Sequence, residues 1–342
     1  MEVGASVIIC CHNSAKRIPV VLAKLVGQVI PDGMKWEIIL VDNASSDNTS
    51  EVALKLWQSH KSRIPFRIVD QPLKGLRNAR DKGIEEAQYD ILIFCDDDNW
   101  LKSDYVRLGM EVMDHYPKVA VLGGVGEGAF EGKKPSWFDK MEHFYAVGEM
   151  NSSSGDISDT VGRVFGAGMI IRKSHYEELK SLGLSGVLSG RKGNSLSGGE
   201  DTELCLLLRM IGKRIFYDQR LKFEHFMPGE RLKISYLIRL AIGLAKSKIW
   251  LMATEHVLMR RKLNPRNVWL KDAMYLIMNI FKLLTSVKYY RNNSLLSIII
   301  RLIYDYTMIL ELIKSNTSYD HFIAQTIKIR QEKIGHGVEK LP

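Results

Sequence analysis

Four short apolar runs, separated by helical patterns and closed by polar or acidic residues, set the fold of this chain. Val3–Cys11 ends in His12-Asn13-Ser14, after which Ile18, Val21, Leu22, Leu25 and Val26 recur at three- and four-residue spacing. Trp36–Val41 is closed by Asp42-Asn43-Ala44-Ser45-Ser46-Asp47 and followed by a pattern with Val52, Leu54, Leu56 and Trp57. Phe66–Val69 precedes a helix over Gly75–Ala87, and Asp90–Cys95 runs into Asp96-Asp97-Asp98. Strands alternating with helices at this pace build βαβ units and a mainly parallel sheet. Such sheets bind ligands past the carboxyl ends of their strands, where Asn13, Asp42 and Asp96–Asp98 fall.

Past residue 115 the pattern loosens. Val119–Gly124 is apolar, and Val164–Ile171 reads as a strand broken by Gly166 and Gly168. Leu182–Gly199 is rich in Gly and Ser and reads as a mobile loop, ahead of a helix over Asp201–Ile211. Long helical patterns then cover Ser235–Leu258, Val268–Leu284 and Leu295–Ile313. Charge divides the chain at the same place. Residues 1–228 carry 29 basic and 31 acidic side chains, whereas 229–342 carry 19 and 8, a net of +11. That predicts a catalytic unit over 1–228 and a basic, amphipathic helical extension over 229–342. The near-neutral first unit excludes a chain coated in nucleic acid, and the extension calls for a local anionic partner.

Leu295–Ile313 is interrupted by Arg301, Asp305 and Glu311, so it is a poor membrane span. Apolar faces with basic flanks suit helices lying in a membrane interface; packing on the catalytic unit or a homodimer are the alternatives. Cys10, Cys11, Cys95 and Cys205 form no CxxC pair and read as buried thiols in a reducing compartment. The first residues lack a basic stretch followed by an apolar one, so the expected location is cytoplasmic, at the inner face of the cell membrane.

Three carboxylates at a strand end repel one another unless a cation or donors meet them. Mg²⁺ or Mn²⁺ with a diphosphate would do so, and a solvated turn capping a helix near Asn99–Arg107 is the plainer reading. Asp42 can accept a hydrogen bond from a base or ribose, or serve its own turn. Glu200-Asp201, after Gly198-Gly199, opens a helix; a carboxylate there can act as general base or complement the helix dipole. His225 reads as a structural histidine or a metal ligand. Arg77 and Arg80, about one helical turn apart, face phosphates or solvent.

Together these segments resemble the family-2 glycosyltransferases with a GT-A fold. The resemblance rests on Val7-Ile8-Ile9-Cys10-Cys11-His12-Asn13, Val41-Asp42-Asn43-Ala44-Ser45-Ser46-Asp47, Gly75 to Gly83, Phe94-Cys95-Asp96-Asp97-Asp98, Gly166-Ala167-Gly168-Met169 and Gly199-Glu200-Asp201-Thr202-Glu203. It covers about residues 3–228. It implies a Rossmann-like sheet flanked by helices and a nucleoside-diphosphate sugar, a UDP-sugar, as donor. It implies that Asp42 reads the base, Asn13 lines the nucleotide pocket and Asp96 lies near the ribose. Asp98 is then the metal ligand, with Asp96 and His225 beside it, and Asp201 is the base of an inverting transfer, with Glu200 next to it. Arg80-Asp81 stands where the family often has Arg-Asn, which leaves the phosphate side less defined. No QxxRW-type segment follows Glu200-Asp201, and Arg231 has no Trp beside it, so transfer of a single sugar is expected rather than polymerisation. The acceptor implied is a saccharide or lipid-linked saccharide, in surface polysaccharide or glycolipid synthesis. A sugar-nucleotide nucleotidyltransferase would want a Gly-rich first loop with Arg and Lys, which Cys11-His12-Asn13-Ser14 lacks. An inactive membrane scaffold would have lost the DxD or the Glu-Asp pair, and both are present.

Overall fold

A computed structural model describes residues 4–191, 193, 195–259, 263–285 and 294–334. Val3, Lys192 and Asn194, which fall within segments read above, lie outside the described residues.

The first strand, Ala5–Cys11 (β1), is buried along nearly its whole length, and Ile8 and Ile9 are fully enclosed. A strand buried on both faces has no polar side to alternate with, which is why the parallel core reads as continuous apolar runs. Trp36–Asp42 (β2), Phe66–Asp70 (β3) and Ile91–Asp96 (β4) complete a parallel block in the order β3-β2-β1-β4. Its crossover helices are Ile18–Val26 (α1), Thr49–His60 (α2) and Leu76–Glu86 (α3). On α3, Gly83 sits directly over the Ile8 side chain, where a Cβ would collide with it. The register does the positional work: Cys10 pairs with Asp96, and Cys11 with Asp42. Three strand ends therefore finish nearly level, with Asp42 and Asp96 on either side of the cysteine-ended β1.

Beyond β4 the sheet becomes mixed. Asn99–Leu101 (β5) is a short strand, so the helix expected near Asn99–Arg107 starts later, as Tyr105–His115 (α4). Val119–Phe130 (β6) and Gly155–Asp156 (β7) follow. The strand expected over Val164–Ile171 is confined to Ile170–Arg172 (β8). Gly168 adopts φ +66°, and Val164–Ala167 instead lines the cleft described below. Lys173–Ser181 (α5), Glu200–Met210 (α6) and Arg214–Met227 (β9) complete this part. Strand order continues β4-β8-β6-β9-β5, with β8 antiparallel to β4 and β6, and β5 antiparallel to β9. The β5–β9 register sets Asn99 opposite His225 and so delivers His225 to the end of the acidic triplet.

Among the described residues after Pro228 three long helices follow: Ile234–Met259 (α7), Val268–Thr285 (α8) and Leu295–Ile329 (α9), the last running well past the expected Ile313. Ala245, Ile249 and Leu251 of α7 share one core with Cys205, Leu206 and Leu208 of α6. The loop packs on the helix through Gly243, beside the Leu196 backbone. One carboxylate ties the three helices together. Asp272 of α8 accepts hydrogen bonds from His256 of α7 (2.8 Å) and from the Tyr319 hydroxyl of α9 (2.7 Å). Among the described residues no helix is long and apolar enough to cross a membrane.

Candidate active site

A cleft of about 1570 Å³ opens at the carboxyl ends of β1 and β4 and extends to α7, α8 and α9. Arg80, Asp96, Asp98, Glu200, Asp201 and His225 all line it. Asp42 and Asn13 are not among its lining residues. Asp42 accepts from the Ser45 amide (3.0 Å) and the Ser50 hydroxyl (2.5 Å), and Asn13, at φ +53°, accepts from the Ser46 amide (2.8 Å). Both are engaged in the turn after β2.

Each acid of the triplet has its own guanidinium. Arg80 Nη2 lies 3.7 Å from Asp96, Arg17 Nη2 2.6 Å from Asp97, and Arg231 Nη1 2.7 Å from Asp98. Asp97 also accepts from the Ser14 hydroxyl. Burial raises the Asp96 and Asp97 carboxyls above the ordinary range, and the neighbouring carboxylates add to this. Burial acts on Asp98 too, but Arg231 and His225 outweigh it and hold that carboxyl well below the ordinary range.

His225 Nε2 lies 3.5 Å from Asp98 Oδ1, and its buried Nδ1 has no hydrogen-bond partner. Among the described residues no group of three His, Cys, Asp or Glu is arranged to hold a metal ion. Asp98 and His225 supply one carboxylate and one imidazole, and a shell for Mg²⁺ or Mn²⁺ built on them would need substrate phosphates and water to complete it. Arg231 occupies the second Asp98 oxygen in this arrangement.

The opposite wall is α6. Asp201 Oδ2 accepts from the Gly166 amide (2.6 Å) and Oδ1 from the Thr202 amide (2.7 Å), so backbone dipoles fix its plane. Glu200 Oε1 lies 3.4 Å from Arg80 Nη1, and its buried Oε2 has no partner. Burial raises the Glu200 carboxyl, Arg80 pulls it down, and Asp201 raises it again; the net shift is upward. Arg80, itself buried, thus touches both walls.

The contacts of several site residues are not visible in the sequence. Asn43 donates to the Gln71 and Leu73 carbonyls (2.9 and 2.7 Å) and accepts from the Gly75 amide (2.8 Å), tying the β2 end to the α3 entrance. Arg17 and Arg231 come from segments far from the triplet. Arg77, read beside Arg80, donates to the Gly186 carbonyl instead, and buried Glu203 accepts from the Val187 and Leu188 amides (2.8 and 3.0 Å). The loop expected to be mobile is therefore pinned at its first half.

A half-parallel sheet that ends in an acidic cleft, faced by a helix opening with two carboxylates, defines the GT-A class of α/β protein. The chain belongs to glycosyl transferase family 2, whose pattern matches residues 6–179. A glucosyl-dolichyl phosphate glucuronosyltransferase of Haloferax volcanii is 21% identical over 202 residues, covering 59% of this chain and 62% of that protein. The poly-beta-1,6-N-acetyl-D-glucosamine synthase of Staphylococcus aureus is 30% identical over 122 residues, 35% of this chain and 28% of that one. This chain therefore spans less than two thirds of the length of the relatives it matches. The structure of S. aureus TarS 1–349 superposes with a TM-score of 0.50 at 13% identity, covering 92% of this chain and 91% of that one. TarS 1–349 in complex with UDP-GlcNAc gives the same TM-score.

Proposed function

We propose that this chain transfers a single sugar from a UDP-sugar to a hydroxyl of a saccharide or lipid-linked saccharide, with inversion, in the synthesis of a surface polysaccharide or glycolipid. Residues 1–228 form the catalytic unit in this reading, and the helical extension contributes Arg231. The observation that carries it is Arg80, which spans from the acidic triplet (3.7 Å to Asp96) to the carboxylate pair on α6 (3.4 Å to Glu200) within one cleft. The UDP-GlcNAc held by TarS, and the sugar-transferring relatives, support the donor class.

The diphosphate seats against Arg80, Arg17 and Arg231, which exchange carboxylate partners for phosphate oxygens. Asp98 and His225 would hold Mg²⁺ or Mn²⁺, which offsets charge on the departing diphosphate. Asp201, fixed by two amides, takes the proton of the acceptor hydroxyl as that oxygen attacks the anomeric carbon from the face opposite the leaving group. One displacement inverts the centre without a carboxylate nucleophile. A second reading gives the proton to Glu200, whose buried Oε2 is unpartnered and whose affinity for a proton is raised. The test is a panel of nucleotide sugars, read by melting shift with and without Mn²⁺ and by nucleoside-diphosphate release. A UDP-sugar should stabilise the chain most, and more so with Mn²⁺; no response to any nucleotide sugar would overturn the reading.

A further inference from the structure

We infer that α8 is a docking helix for an anionic lipid bilayer. Val268, Asp272, Ala273 and Leu276 form its buried stripe against the rest of the protein. Its opposite side is also apolar. Leu270, Met274, Ile277, Met278, Phe281 and Leu284 stand 43 to 70% exposed, on an arc facing away from the buried stripe. A helix that is hydrophobic on both sides needs a second apolar environment. This patch is contiguous on one helix rather than scattered, which marks an interaction surface.

Charge identifies the occupant. Lys271 and Lys282 are exposed at one flank of the apolar arc. The single acid of α8, Asp272, is turned inward to His256 and Tyr319. The outer surface of this helix therefore presents apolar and basic groups without an acid, in an extension whose net charge is +11. An interfacial helix has this composition, and no described helix can span a membrane instead.

Tyr275, Leu276 and Asn279 of the same helix line the cleft that holds Asp201. They lie on the protein-facing side of α8, so the lipid-facing arc is separate from the cleft lining, and the docking surface stands independently of the transferase reading.

The experiment uses the full chain and vesicles of phosphatidylcholine alone or mixed equally with phosphatidylglycerol. The wild type should float with the anionic vesicles, less so in high salt. Met278→Glu with Phe281→Glu should cut the bound fraction about tenfold at an unchanged melting temperature, and Lys271→Glu with Lys282→Glu should remove the preference for anionic lipid. Flotation with neither vesicle, or equal flotation of wild type and the Met278/Phe281 variant, overturns the inference. So does a wild-type dimer that the same variant dissociates, which would give the face to a second copy. Nucleoside-diphosphate release from a UDP-sugar is measured in parallel. If release is absent while flotation holds, the transferase reading fails and the docking surface stands.

Discussion

Arg231 Nη1 lies 2.7 Å from Asp98 Oδ2, and both side chains are largely withdrawn from solvent. The acid that the sequence marks for a divalent cation is thus held by an arginine from the segment joining β9 to α7. Breaking a buried pair from one side leaves the other charge uncompensated, at about 3 kcal/mol. Arg231→Ala should lower stability by that order, and Mn²⁺ should raise the melting temperature of the variant more than that of the wild type. Asp98→Ala should abolish any Mn²⁺ response. Calorimetric Mn²⁺ titration of the three proteins checks this; an equal response in all three removes Asp98 from the metal site.

The base is assigned by two isosteric changes. Asp201→Asn keeps the Gly166 contact but accepts no proton, so kcat should fall by about 10²–10⁴-fold with donor affinity near wild type. Glu200→Gln should cost less than this. The reverse order of the two losses would move the proton to Glu200, and a product retaining the donor's anomeric configuration would end the single-displacement mechanism.

Glu37 makes the fold sensitive to acid. It is buried between β-strands, accepts from the Ser6 hydroxyl (2.6 Å) and the Gln88 amide (2.8 Å), and pairs with Arg67. Burial alone would raise its carboxyl, but the Arg67, Ser6 and Gln88 hydrogen bonds hold it below the ordinary 4.5. A depressed folded-state value stabilises the protein above the unfolded value, and this is lost as pH falls through the folded one. Glu37→Gln should therefore melt lower than wild type at neutral pH, with the gap closing below about pH 4. Melting curves across that range decide it; a constant gap places the effect in packing.

Asp272→Ala removes the shared partner of His256 and Tyr319. The buried Tyr319 hydroxyl and the half-buried His256 ring lose their bonds, so a loss of about 3 kcal/mol is expected, with hydrogen-exchange protection falling first in α8. Unchanged protection there would mean that apolar packing alone holds the helix.

The strand core was legible because strands buried on both faces leave uninterrupted apolar runs, and parallel register then carries Asp42 and Asp96 to one edge. Asp98, Glu200 and His225 were readable as types of residue in a recognisable order. Their partners were not. Arg17 and Arg231 meet the triplet only through tertiary closure, and nothing local marks an arginine that pairs from a distance. The strand expected from Val164 failed because an apolar run containing Gly166 and Gly168 can turn as easily as extend.

Arg80 gives the cleft a shared counter-ion. Any ligand that draws this guanidinium from Asp96 changes the field at Glu200, and any change in Glu200 ionisation alters how firmly Arg80 holds the opposite wall. Occupancy on one side and proton affinity on the other are thus linked reciprocally, through one shared charge rather than a moving segment.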